Sequence, residues 1–274
     1  MSFRFRTVII DGASLAASRN GVVLMVLVAL AELFSVLLFL SAGSVYVPLG
    51  DGVVGVEGAP TPGEELPEAL AGFATFFAGV LGAILTVPIT IIAIRTFVGS
   101  ERDTIPDEYI FHRLGRATLS AYLAGLVLFF GYILAFVLPF VPLYWLFGEV
   151  TGLPLVAVLL LMLVVGLTLA VFFWISLLFV TYEIAVRDIR VVGALRGSWR
   201  LTSGTRLRLF ALAVVLAGVQ WAAVGPLVPF ASEMILLTLS VPFSAVVGIV
   251  AIAIYARVYY ELAEFGTDSS SIDA

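Results

Sequence analysis

Apolar residues run on through this chain for lengths that soluble proteins do not use. Six such runs cover residues 21–42, 68–94, 117–141, 155–182, 209–225 and 234–256. Most pass the ~18 consecutive apolar residues that mark a helix crossing a bilayer. Within hydrocarbon, a single segment can satisfy its backbone N–H and C=O groups only as a helix. The pattern predicts an all-α, polytopic membrane protein with six transmembrane helices.

The polar intervals between the runs alternate in character. Residues 1–19, 95–116, 187–208 and the tail from Arg257 hold all fourteen arginines, as three, four, six and one. The intervals 43–67, 143–154 and 226–233 hold none, and the first of these carries Asp51, Glu57, Glu64 and Glu65. Cytoplasmic loops collect basic residues, so the arginine-bearing side is expected inside. Six spans then place both termini in the cytoplasm and the protein in the cell (plasma) membrane. The expected organisation is an interfacial helix at 1–19, a six-span domain at 20–257 and a polar tail at 258–274. An inner segment, a span, an outer turn and a span back recur three times, which predicts three hairpins with amphipathic helices on the inner face.

Two inner segments have helical periodicity. Phe5, Val8, Ile9, Gly12, Leu15 and Ala16 fall on one face beside Arg4, Arg6 and Arg19. In the segment 188–203, Ile189, Val192, Leu195 and Trp199 share a face, and Arg190, Arg196 and Arg200 lie off it. Such helices are expected in the headgroup layer. Asp188 is the expected N-cap of the second and Ser203-Gly204 its stop, while Glu183 and Arg187 form a favourable pair four residues apart. In the second span Ala71, Thr75, Gly79 and Ala83 make a small-residue face for close packing, and Pro88 is expected to kink it. Thr104, Pro106 and Asp107 make a helix start.

Composition narrows the chemistry. Sixty-two per cent of the 274 residues are apolar, mean hydropathy is +1.16, and cysteine is absent. Disulfides and thiolate chemistry are thereby excluded. All basic residues are arginine, and nineteen acids bring the net charge to -5, a pattern expected of a salt-adapted or GC-rich organism. The acidic balance argues against nucleic acid as a partner. One histidine, His112, cannot supply a zinc protease site. No catalytic, metal or cofactor site is expected, and the protein is not expected to be an enzyme.

Glu32 is the sharpest single residue. It lies twelve residues past Asn20, roughly 18 Å along a helix, near the bilayer centre. An acid there is tolerated only with partners. Gln220 and Ser244 lie at comparable depth on the fifth and sixth spans, so the three are expected to meet, either as packing glue or as a proton or cation site. Tyr132 and Thr168 are expected to serve helix packing.

The segment G-S-W-R-L-T-S-G-T-R-L-R-L-F at 197–210 resembles one found in archaeal and bacterial six-span membrane proteins of unknown function. Those proteins are related to the membrane domain that precedes glycerophosphodiester phosphodiesterase domains. The stretch D-T-I-P-D-E-Y-I-F-H-R-L-G-R-A-T-L at 103–119 is similar to haloarchaeal members. The resemblance implies a six-span domain and no catalytic residues, and with residue 274 as the last, no phosphodiesterase domain is expected to follow. Two functions are open. One is a non-catalytic scaffold or accessory component that binds anionic lipid headgroups or a cytoplasmic protein through Arg190, Arg196, Trp199, Arg200, Arg206 and Arg208. The alternative is a small transporter or channel with Glu32 and Gln220 in its pathway.

Overall fold

The computed structural model describes residues 4–43, 68–138, 153–224 and 233–268, and every regular element in them is helical. In chain order these are α1 Phe5–Ala16, α2 Arg19–Gly43, α3 Glu68–Val98, α4 Asp107–Phe111 and α5 Leu114–Val137. They continue as α6 Leu153–Ser176, α7 Val180–Arg187, α8 Val191–Thr202, α9 Arg206–Val224 and α10 Glu233–Asp268. The outer loop 43–67 and most of the outer turns expected at 143–154 and 226–233 lie outside the described residues, as do the side chains of Ala71, Thr75, Gly79 and Ala83.

Four stretches are long and apolar enough to cross a membrane: Arg19–Leu37, Leu114–Val137, Val156–Arg187 and Val241–Glu264. A fifth is reached if Val191–Thr202 and Arg206–Ala222, bent by 95°, count together. This is a multi-pass helical membrane protein. Large apolar side chains such as Leu126, Phe130 and Leu134 on α5 and Leu160, Val164 and Leu167 on α6 face outward, as lipid-facing helices require.

Among the described residues the packed core is weighted toward one end of these spans. It gathers Val8 and Leu15 of α1, Ile94 and Phe97 at the end of α3, Ile184 of α7, Ala194 of α8, and Ile254 and Tyr259 of α10. All lie toward the arginine-bearing helix ends. The stretch Val156–Arg187, 32 residues with a turn at 177–179, is longer than the ~20 residues that a ~30 Å hydrocarbon layer requires.

Helix α1 forms as its periodicity predicts, with Val8, Gly12, Leu15 and Ala16 buried. It lies against α10 so closely that a Cβ on Gly12 would stand 2.6 Å from the Ile254 Cα. Arg257 reaches from α10 to Asp11 of α1 at 3.8 Å and to the Ser100 hydroxyl at 2.9 Å. The polar tail expected from residue 258 begins later. Helix α10 continues to Asp268, and Val258, Tyr259 and Leu262 are core residues spaced to face α1 and α7 rather than water.

The helix pairs differ from three equal hairpins. Helices α2 and α3 pack together, as do α5 and α6. Helix α10 packs mainly on α1, α2 and α3, and α9 touches α10 and α6 only lightly. The described part of α9 buries Leu209, Leu212 and Ala213 among its apolar residues.

Candidate functional site

The stretch most unusual in sequence, 187–208, is also the most densely tied in three dimensions. Its construction begins at a break in the helix before it. Between α6 and α7, residues 177–179 form a turn in which the Val180 N–H donates to the Leu177 carbonyl at 3.2 Å, a three-residue step. That turn leaves the Phe179 N–H and the Ser176 carbonyl without their usual helical partners. Helix α8 supplies both. The Ser198 hydroxyl accepts from the Phe179 N–H at 3.1 Å and lies 3.1 Å from the Ser176 carbonyl. The Thr202 hydroxyl donates to that carbonyl at 3.1 Å. Buried backbone groups must be paired, so a Ser and a Thr four residues apart fix α8 onto the break.

One turn away, Glu183 is fully buried where α7, α8 and α10 meet. The Tyr259 hydroxyl donates to its Oε1 at 3.2 Å, and Arg187 approaches its Oε2 at 3.3 Å, the expected pair. Gly197 makes room for it, since a Cβ there would lie 2.7 Å from Oε2. On the next face of α8, Trp199 packs against the rings of Phe172 and Phe173, with centroids 5.7 and 6.2 Å away. The Arg206 guanidinium sits 4.7 Å from the Phe172 ring centre and 4.5 Å from that of Trp199. Such cation–π contacts contribute about 0.5–2 kcal/mol each. The segment Gly197, Ser198, Trp199, Arg200, Leu201, Thr202 is therefore a docking sequence, its small and hydroxyl residues facing protein.

This corrects the expected face of the amphipathic helix. Its buried side carries Ala194, Ser198 and Thr202, whereas Val192 and Trp199 are 60% and 40% exposed. Polar groups freed by the helix break outweigh apolar periodicity in choosing the face. Asp188 is not the N-cap either. It closes α7 in the left-handed conformation, φ 50°, and Arg190 precedes α8. Its carboxylate instead accepts from the Arg113 guanidinium at 2.7 Å, which holds its pKa below the usual carboxylate range. Gly204, φ 85°, ends the segment where the stop is expected. At the start of α4, Pro106 holds the N-cap position and no side-chain cap bond forms, so Thr104 does not cap it.

Two cavities flank α8. One of about 270 Å³ is lined by Glu183, Arg187, Gly193, Arg196, Gly197 and Arg200. The other, about 430 Å³, lies among α5, α6 and α8, with Leu128, Gly131, Tyr132, Phe173, Leu195 and Trp199 in its wall. Arg196 lines both. Arg190, Arg196, Arg200 and Arg208 are exposed, and none has an ion pair among the described residues.

The basic loop 95–116 holds a residue whose role was not visible in sequence. Arg95 is buried and donates from Nε to the Ala185 carbonyl at 2.8 Å. Its Nη1 donates to the carbonyls of Tyr109 and His112 at 3.1 and 2.9 Å. It ties α3 to α7 and to the turn before α5. The signal available in sequence was a cation one turn from a helix end, which loop topology alone explains equally well.

Of the three mid-depth residues, the structure brings two together. The Ser244 hydroxyl donates to Glu32, and it also lies 2.8 Å from the Val241 carbonyl. Gln220 is exposed on α9 and, among the described residues, does not join them. Thr168 donates back to the Val164 carbonyl at 2.7 Å, within its own helix.

Residues 4–262 match the family described as Domain of unknown function (DUF7847). No curated protein matches the chain, and no solved structure does.

Proposed function

Since the chain belongs to the DUF7847 family, nearly its whole length being one such domain, we propose that it is a non-catalytic six-span component of the cell membrane that binds anionic lipid headgroups. The observation that supports this is the fixed arginine surface of α8. Ser198 and Thr202 anchor the helix by its hydroxyl face, which leaves Arg190, Arg196 and Arg200 exposed and free of ion pairs with the described residues. A basic side chain near an anionic leaflet is worth ~1 kcal/mol, so three or four together give real preference.

The six-span count takes α3, of 31 residues, and α9, of 19, as spans two and five. The arginine-bearing ends face the cytoplasm, and both termini lie there. Transport draws on Glu32, whose contact with Ser244 serves equally as packing between α2 and α10. Loss of Gln220 from that cluster leaves a pathway with few polar groups.

Native mass spectrometry tests the lipid reading. Protein extracted from mixed vesicles of phosphatidylglycerol and phosphatidylcholine should retain the anionic lipid preferentially. Replacing Arg190, Arg196, Arg200 and Arg208 together by Gln should abolish that preference. Equal retention of both lipids by the unaltered protein would overturn the proposal.

A further inference from the structure

The two cavities beside α8 meet at one side chain. Arg196 stands in the wall of the apolar cavity formed with α5 and α6, and in the wall of the polar cavity that Arg187 and Arg200 also line. We infer, resting on the lipid reading above, that the pair forms one site for a single anionic phospholipid, with an acyl chain in the apolar cavity and its phosphate at Arg196 and Arg200.

The shape and chemistry agree on this occupant. At about 430 Å³ the apolar cavity falls within the ~300–1,000 Å³ range of ligand sites. Apart from Arg196, the Tyr132 hydroxyl and the Trp199 indole N–H, the side chains of its wall are aliphatic and aromatic, which gives water few partners. Among lipid-facing helices the available filler is a hydrocarbon chain. The adjoining cavity sets three guanidinium groups against one carboxylate, and that carboxylate is already held by Tyr259 and Arg187. The excess positive charge selects an anion, and a guanidinium fork matches phosphate oxygens. Trp199 lies in the wall of the apolar cavity, an amphipathic ring of the kind favoured where lipid meets water. A chain entering from the bilayer and a headgroup held at the arginines follow from one binding event.

Gly131 makes the idea testable without disturbing the fold. No atom lies within 4 Å of where its Cβ would be, so Gly131→Leu places its side chain in open space lined by the cavity. The experiment uses full-length protein with Trp145, Trp174 and Trp221 replaced by Phe, so that Trp199 alone reports. It is reconstituted in phosphatidylcholine vesicles containing a small fraction of phospholipid with brominated acyl chains. Brominated phosphatidylglycerol should quench Trp199 more strongly than brominated phosphatidylcholine at equal mole fraction. Arg196→Gln should lower the apparent preference roughly fivefold, the equivalent of one basic side chain near the surface. Gly131→Leu, with its thermal midpoint unchanged or raised, should reduce quenching by the anionic lipid to the level of the zwitterionic one. If quenching in Gly131→Leu stays at the wild-type level, the acyl site is refuted while headgroup binding stands. If phosphatidylglycerol shows no advantage in the unaltered protein, the headgroup proposal falls with it.

Discussion

Ser198 carries more than its size implies. Its hydroxyl serves a backbone donor and a backbone acceptor on the far side of a helix break, and both are buried. Ser198→Ala leaves the Phe179 N–H unpaired, which costs about 1–3 kcal/mol. Denaturant unfolding in micelles should show a loss of that size; a change below about 0.5 kcal/mol, the range of ordinary surface substitutions, would mean that water replaces the hydroxyl. Glycines give a contrast of opposite sign. At Gly12 an added methyl meets the backbone of Ile254, which cannot move aside, so Gly12→Ala should destabilise by about 1–3 kcal/mol through overpacking. At Gly218 nothing stands within 4 Å, and Gly218→Ala should stabilise α9 by roughly 0.5–1 kcal/mol. Paired thermal melts of the two variants check both. Neither role is written in the sequence, because a Gly or Ser inside a helix looks the same whether it faces lipid or another backbone.

At the scale of elements, packing of α7 and α8 beside α5 is supplemented by an ion pair at their ends, Arg113 with Asp188. The depressed pKa of Asp188 fixes the sign of its pH dependence. Its contribution is present above the ordinary carboxylate value of about 3.9 and disappears as pH falls through the lower folded value. Arg113 is well exposed, so the effect is small. The stability difference between wild type and Asp188→Asn should be constant from pH 6 to 8 and shrink progressively once pH falls below about 3.9, as followed by helix unfolding against pH. A difference that grows on acidification would contradict the assignment. Helices were the most legible part of this chain. Apolar runs and 3.6-residue spacing gave α1, α2 and α5 nearly to their ends and the start of α6, whose run was read on to residue 182 across the break. The buried face of α8 was not legible, because the break at 177–179 that decides it shows no Gly or Pro. Asp188 was misread for a related reason: an Asp between two helices suits either the cap of the second or the left-handed close of the first.

For the molecule as a whole, the arrangement of arginines predicts sidedness. A cysteine placed at Asp51 should react with an impermeant reagent in intact cells, and one at the exposed Val192 should react only after the membrane is opened. Reaction at Val192 in intact cells would reverse the orientation. Membrane character followed directly from composition, since nothing else explains such runs of apolar residues. The location of the core did not. Depth along the spans suggested one cluster of Glu32, Gln220 and Ser244, yet among the described residues the core gathers mainly toward the arginine-bearing helix ends. Glu32 keeps one partner, Ser244, and Gln220 none of the expected cluster, because depth along separate helices says nothing about which helices are neighbours.

The contact between α1 and α10 also sets a timetable. These two helices come from opposite ends of the chain, and α10 completes the surroundings of Val8, Ile94 and Tyr182. A ribosome releases α1 to α3 long before α10 exists. For that interval the apolar face of α1 lacks its main partner and can rest on the membrane surface, as its amphipathic pattern allows. Assembly of the core is thus deferred until α10 has been made, and a chain cut short before α10 would reach the membrane but leave its finished helices open to quality-control proteases.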